Sequence, residues 1–331
     1  MQNQQTPFDQ RYKLANGVRL ALYVLCGHSD LDGQSYDQEQ ACKSLIERLI
    51  VSMRKKAGEA QADNFAQLCK ILKPHLEVVE LDQVKDRYIK FAPYAKLPAT
   101  SIEQIKSTAT AIKISITEWL DPQLLGLQIM QFLAAHLAMD SKGTILEPDS
   151  LKAYRYDNEI LERFESIQPK APSLNPFIML VQGRSQNHPD RVTTNTVGLS
   201  RFQLPEIEMG DLTDDEHRLS YLMGGMAQSL IETACKTQND EHRSIDFSTT
   251  PLAVSTDQVI LANLKDPPHI SPITKTAKIP MRLVYKHGVP ILEPDWPQEG
   301  ERVERDAQLQ KILSILGLIE EYPDILRTSH D

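Results

Sequence analysis

Three prolines in nine residues, Gln168-Pro169-Lys170-Ala171-Pro172-Ser173-Leu174-Asn175-Pro176, set the main constraint on how this chain folds. Proline fixes φ and carries no amide hydrogen, so so dense a run of it serves neither as a helix interior nor as a central strand. The stretch has little apolar content and falls near the middle of 331 residues, a length beyond one ordinary domain. The sequence therefore predicts two domains, residues 1–167 and 177–331, with 168–176 as a proline-rich linker.

The first half alternates strand and helix patterns. Asn16-Gly17 is a turn signal before the apolar run VRLALYVLC. Residues 38–56 place Ala41, Leu45, Leu49 and Met53 on one helical face, and Gly58 is positioned to end that helix. A second helix is expected near 64–72, before Pro74, and LEVVEL at 76–81 reads as a strand. Ser101 with Gln104 has the form of a capping box, which predicts a short helix from Ser101. AIKISIT at 111–117 alternates as a half-buried strand does. Asp121-Pro122 then starts a helix that runs to about Met139 and ends near Gly143.

In the second half FIMLVQG, RVTTNTVGL and LPEIEM read as strands. Thr213-Asp214-Asp215-Glu216 has the capping-box form before a helix carrying Leu219, Leu222, Met223, Met226, Leu230, Ile231 and Ala234. Gly224-Gly225 within it weakens the helix by roughly 1 kcal/mol per glycine, a cost that makes sense if another element approaches closely there. QVILANL at 258–264 and MRLVY at 281–285 are expected strands, and Lys286-His287-Gly288 is expected to turn the chain into VPILEPD. Residues 305–321 form a last helical pattern. The predicted class is α+β, each domain a mixed or mainly antiparallel sheet with packed helices.

The sequence Ile-Leu-Glu-Pro-Asp occurs at 145–149 and again at 291–295. Its flanks differ in kind, so shared strand-end chemistry explains the repeat better than duplication. Proline removes a ladder donor and favours an exit from the sheet.

A net charge of -9 keeps the molecule dissolved and repels nucleic acid and anionic lipid, and it attracts a basic partner. The first residues are polar and show no targeting pattern, and the longest strongly apolar run is too short to span a bilayer, so the expected location is the cytoplasm. Cys26, Cys42, Cys69 and Cys235 form no C-x-x-C pair and no zinc spacing, which suits reduced thiols. Aromatic residues total 6%, low for a platform that stacks single-stranded bases.

The sequence contains no Walker loop, no G-x-G-x-x-G after a strand, no G-x-S-x-G and no H-E-x-x-H. Glu206-Ile207-Glu208 has the spacing of a nuclease carboxylate pair but lacks the lysine that polarises a scissile phosphate. Three polar constellations remain. His28, Asp30 and Asp32, with Gly33 allowing a tight turn, follow the first strand; a histidine with two carboxylates there holds a metal or acts as acid and base, or is simply a polar turn. Asp211, Asp214, Asp215, Glu216 and His217 crowd a helix start, where the helix dipole alone accounts for the acids. Gln238 to Arg243 reads as a solvated connection. His136 shares a helical face with Phe132 and Leu133 and reads as a histidine at the core edge.

The stretch RVTTNTVGLSRFQLPEIEM resembles an uncharacterised bacterial domain family of unknown function. The pattern lies in Thr196, Gly198, Leu199, Phe202, Pro205, Glu206, Ile207 and Glu208, with Gln203 standing where the pattern has glycine. The resemblance implies an α+β fold in a bacterial cytoplasm and a role beside toxin or secretion systems. It carries no established activity and no functional residue.

The function expected from these observations is a non-enzymatic, cytoplasmic protein-binding module, immunity-like or a secretion-system accessory, whose partner is another protein of basic charge. No cofactor, nucleic acid or membrane is expected, and assembly with further copies of itself stays open. The rival is a metal-assisted hydrolase using the 28–33 loop, with His28, Asp30 and Asp32 as ligands.

Overall fold

The computed structural model describes residues 10–14, 17–25, 38–95, 97–118, 123–157, 173, 174, 177–184, 188–213, 216–237, 243–263, 268, 270, 274–296 and 302–318. The fold is α+β, with mainly antiparallel sheets. The first half contains β1 (Arg11–Lys13), β2 (Val18–Leu25), α1 (Gln38–Ala57), α2 (Glu59–Leu72), β3 (His75–Glu80), α3 (Asp82–Ala95) and α4 (Ala99–Ser107). It continues with β4 (Thr110–Glu118), α5 (Leu125–Ser141), β5 (Thr144–Glu147) and β6 (Lys152–Arg155). The second contains β7 (Met179–Arg184), β8 (Arg191–Val197), a 3-10 turn (Leu199–Phe202), β9 (Glu206–Thr213), α6 (Glu216–Thr237) and β10 (Ser244–Asp246). Then come β11 (Leu252–Ser255), α7 (Thr256–Ala262), β12 (Thr276–Ile279), β13 (Met281–Lys286), β14 (Val289–Pro294) and α8 (Arg302–Ile315).

Two five-stranded sheets organise the molecule. The first has the order β3-β4-β2-β5-β6 and is antiparallel throughout. The second has the order β13-β14-β9-β8-β7, in which only β14 and β9 run parallel. Of the proline-rich stretch Ser173 and Leu174 are described, and Leu174 is buried. The chain does not keep strictly to one side of that stretch: β1, near the start, pairs with β10 of the second half.

Alternation explains why the first sheet is covered on both faces. Leu20, Leu22 and Val24 of β2 join Ile112, Ile114 and Ile116 of β4 in a core that also holds Phe65 of α2 and Phe132 of α5. Leu25 and Ala111 face the other way, with Leu81, Tyr88 and Ile105 beside α3 and α4. Helix α5 is apolar nearly all round and buried along most of its length, as such a helix must be. The first core continues into the second half, where Ile207 and Met209 of β9 meet Leu222, Met226 and Leu230 of α6. Among the described residues no helix is long and apolar enough to cross a membrane.

The paired glycines of α6 do admit a neighbour. A Cβ on Gly224 would lie 3.2 Å from the Ala262 Cβ, and one on Gly225 would lie 2.6 Å from Val259 Cγ2. The neighbour is α7, and here the strand expected over 258–264 needs correction, because Thr256–Ala262 is helical. Its start is a capping box in which Ser255 accepts from the Gln258 amide and Gln258 reaches back to the Ser255 amide. A second correction concerns Ser101. Helix α4 begins two residues earlier, after Pro98, and Ser101 lies buried inside it. The Asp121-Pro122 start lies outside the described residues.

Replacing Gly225 with alanine forces methyl against Val259 and Val254. Overpacking of this kind costs about 1–3 kcal/mol, more than the roughly 1 kcal/mol that alanine returns in helix propensity. Gly225→Ala is therefore expected to lower the urea midpoint. Gly183→Ala, where nothing lies within 4 Å, is expected to leave it unchanged or raise it. Equal midpoints for the two variants would contradict the close α6–α7 approach.

Candidate functional site

The sequence-derived metal candidates His28, Asp30 and Asp32 lie outside the described residues, as do Asp214, Asp215 and 238–242. For Glu216 and His217 only the helical backbone of α6 is described. Arg243 is in place, and its carbonyl accepts from the Leu14 amide at 2.8 Å. His136 packs its ring 4.7 Å from that of Phe132 at the half-buried edge of the core. Among the described residues no group of three or more His, Cys, Asp or Glu is placed to hold a metal ion. Cys69 and Cys235 are buried thiols.

Asp211, expected to serve a helix start, instead belongs to an arginine cluster. Arg191 Nε donates to Asp211 Oδ1 at 2.9 Å, Arg302 Nε donates to its Oδ2 at 2.9 Å, and Arg305 Nη1 lies 3.6 Å from the same oxygen. Arg191 also holds Asp306 with both terminal nitrogens, at 3.0 and 3.3 Å. Thr213 does not turn its donors to α6. Its amide and hydroxyl both donate to Asp306, at 3.1 and 2.8 Å. Burial pushes the Asp306 carboxyl up, but the Arg191 and Thr213 bonds outweigh it and hold the group below its ordinary value. The cluster ties α8 to the β8–β9 pair.

A second set lies across β9, β14 and β13. The lysine missing beside Glu208 in the sequence arrives from β13: Lys286 contacts Glu208 and also Glu293, while Arg282 Nη2 donates to Glu293 Oε2 at 3.0 Å. The ammonium sits between the carboxylates as their counter-ion. Burial raises Glu293, and the two cations more than reverse it, so its carboxyl titrates below the ordinary range. Lys286 is 43% exposed, so the pairs contribute at most about 1 kcal/mol each and chiefly set strand register. This is the second Ile-Leu-Glu-Pro-Asp copy, and Pro294 there remains within β14.

The first copy meets a deeper arrangement, built from residues 196–206. Glu206 accepts the Thr196 hydroxyl at 2.8 Å and the amides of Gly198, Leu199 and Ser200 at 3.0, 3.3 and 3.0 Å. One carboxylate thus organises the 3-10 turn, since the free amides at a helical start need acceptors. Gly198 has φ 125 and faces the Phe177 carbonyl so closely that any Cβ would lie 2.2 Å from that oxygen. Gln203, where the pattern has glycine, adopts φ 53, the left-handed region that glycine enters at least cost.

The turn delivers Arg201 into the first half. Its side chain is fully buried, and Nη2 lies 2.8 Å from Glu147 Oε1 and donates to the Ala21 carbonyl at 2.9 Å. Nε lies 3.5 Å from Asp149 Oδ2, and the guanidinium stands 5.0 Å from the Phe177 ring centre, a cation–π contact for edges that make no hydrogen bond. Register explains the Ala21 bond. Tyr23 lies opposite Leu146, so two residues on Ala21 would face Pro148, which has no amide to donate. Arg201 supplies that donor. Glu147 is also fully buried and accepts the Ser150 amide. Burial pushes its carboxyl above the ordinary value of 4.5; Arg201 pulls it down and Asp149 adds to the rise. The phenols of Tyr88 and Tyr154, buried near the Glu147 charge, are pushed well above theirs.

No family model, no curated protein and no solved structure matches this chain.

The Glu147 environment carries a pH signature. A carboxyl with a raised folded pKa favours the folded state below its unfolded value, and that contribution is lost as pH rises through the folded value. Stability of the natural chain minus that of Glu147→Gln, from urea unfolding, is expected to be greatest at and below pH 4.5 and to shrink as pH rises. A difference that grows with pH would show that Arg201 dominates burial at this carboxyl.

Proposed function

We propose that the chain is a non-enzymatic, cytoplasmic protein-binding module, immunity-like or a secretion-system accessory, acting on a basic protein partner without cofactor, nucleic acid or membrane. The observation that carries this reading is how charge is distributed. Counted by their carboxylates and cations, the three clusters around Arg201, Arg191 and Lys286 are together electrically neutral. The net charge of -9 therefore belongs to the rest of the molecule. A net negative charge of that size accelerates and orients encounter with a positive surface. Tyr285 and Val289, 55% and 51% exposed beside the His287-Gly288 turn, give the β13–β14 hairpin an apolar tip, and tyrosine is a frequent anchor of interfaces. The family-like stretch supports the immunity or secretion setting.

The reading is tested by capture on the immobilised full chain across ionic strength. The expected result is a specific basic protein that is released as salt rises from about 0.05 to about 0.5 M, where the screening length falls to a few ångströms. Recovery of no partner at any ionic strength, or of an acidic partner insensitive to salt, would overturn it.

A further inference from the structure

We propose that the 198–203 turn is a latch, and that Arg201 makes the two sheets one cooperative unit. This inference does not rest on the proposed function. The turn is assembled chiefly within its own half: Glu206 accepts the Thr196 hydroxyl and the Gly198, Leu199 and Ser200 amides, and the Gln203 and Leu204 amides bond back to Ser200 and Leu199. Its outward polar contacts reach the other side: Arg201 to Ala21, Glu147 and Asp149, and Gln203 Nε2 to the Gly17 carbonyl at 3.0 Å. A preformed pin thus enters a preformed socket.

The socket is an interrupted sheet edge. Strand β4 pairs with β2 from Val18 to Val24, but β5 on the other side reaches only Tyr23 to Leu25. Beyond Tyr23 the β5 side of β2 is closed by the turn, with Arg201 in place of the donor that Pro148 lacks. The chain's first described strand closes the same joint from outside. The Tyr12 hydroxyl donates to the Gln203 carbonyl at 2.9 Å, while β1 itself pairs with β10. Removing the guanidinium leaves Glu147 buried without its cation and Ala21 without a donor, and both defects fall on the first half. The second half keeps its turn, because Glu206 is untouched. The two halves then open at different denaturant concentrations.

The experiment is hydrogen exchange by mass spectrometry on the full chain across a urea series, comparing peptides from β2 and β4 with peptides from β8 and β9. In the natural chain the two sets are expected to lose protection together. In Arg201→Met they separate, the first sheet opening at lower urea, and in water amides around Ala21 and Tyr23 exchange about tenfold faster or more. Arg201→Lys keeps the charge but not the planar fork and shows a smaller separation. It reads the same quantity if Arg201→Met does not fold. Arg282→Met, which breaks a pair lying wholly within the second sheet, keeps the two sets coincident. Separation already present in the natural chain, coincident loss in both Arg201 variants, or equal separation in Arg282→Met would each overturn the latch.

Discussion

The junction of the two sheets depends on the carboxylate of Glu206. Three backbone amides and one hydroxyl, all from the second half, converge on it and shape the turn after β8. Hydrogen bonds to an ionised acceptor are roughly twice as strong as neutral ones, and here they replace the bonds a longer helix would have made. Near this point Arg201 and Gln203 carry polar contacts across to the first half. Leu199, Phe202 and Leu204, buried in the same turn, add apolar adhesion without direction. Arg201 supplies the direction, because a planar fork is satisfied in few orientations.

Burying such a group carries a large desolvation cost, and an apolar joint often serves stability as well or better. What an arginine does that leucine cannot is to end a ladder correctly. Pro148 stops β5 sharply, as the sequence implies, and leaves one carbonyl of the central strand β2 unanswered. The same motif at 291–295 creates no such demand. There β9 pairs with β14 only at Ile291 and Leu292, and Glu293 is neutralised on a partly exposed sheet face. Identical five-residue segments thus have different roles because their neighbours differ.

Much of the fold was legible from local pattern. A turn signal before an apolar run marked β2, alternation marked β4, the four-residue spacing of Leu45, Leu49 and Met53 marked α1, and the glycine pair in α6 marked a close approach. QVILANL is a short apolar run with Val259 and Ile260 side by side, which fits a buried strand as well as a helix. The deciding signal, Ser255 with Gln258, spans its start. Helix α3 was missed because Asp82–Ala95 interleaves charged and apolar residues and contains Pro93. The site was hardly legible at all. Arg201, Glu147 and Ala21 lie far apart in the chain, and no spacing rule joins them. Only the turn-building residues Thr196, Gly198 and Glu206 showed in the sequence, as a family-like pattern without a stated role.

The central claim is that Glu206 acts through the seating of Arg201. It is tested most directly by a double-mutant cycle in urea unfolding with Glu206→Gln, Arg201→Met and the combined variant. The account predicts that the combined loss of stability falls short of the sum by about 1 kcal/mol or more, since a loosened turn no longer seats the arginine. Losses that add within about 0.3–0.5 kcal/mol would contradict it, by showing that the carboxylate and the guanidinium stabilise the protein independently.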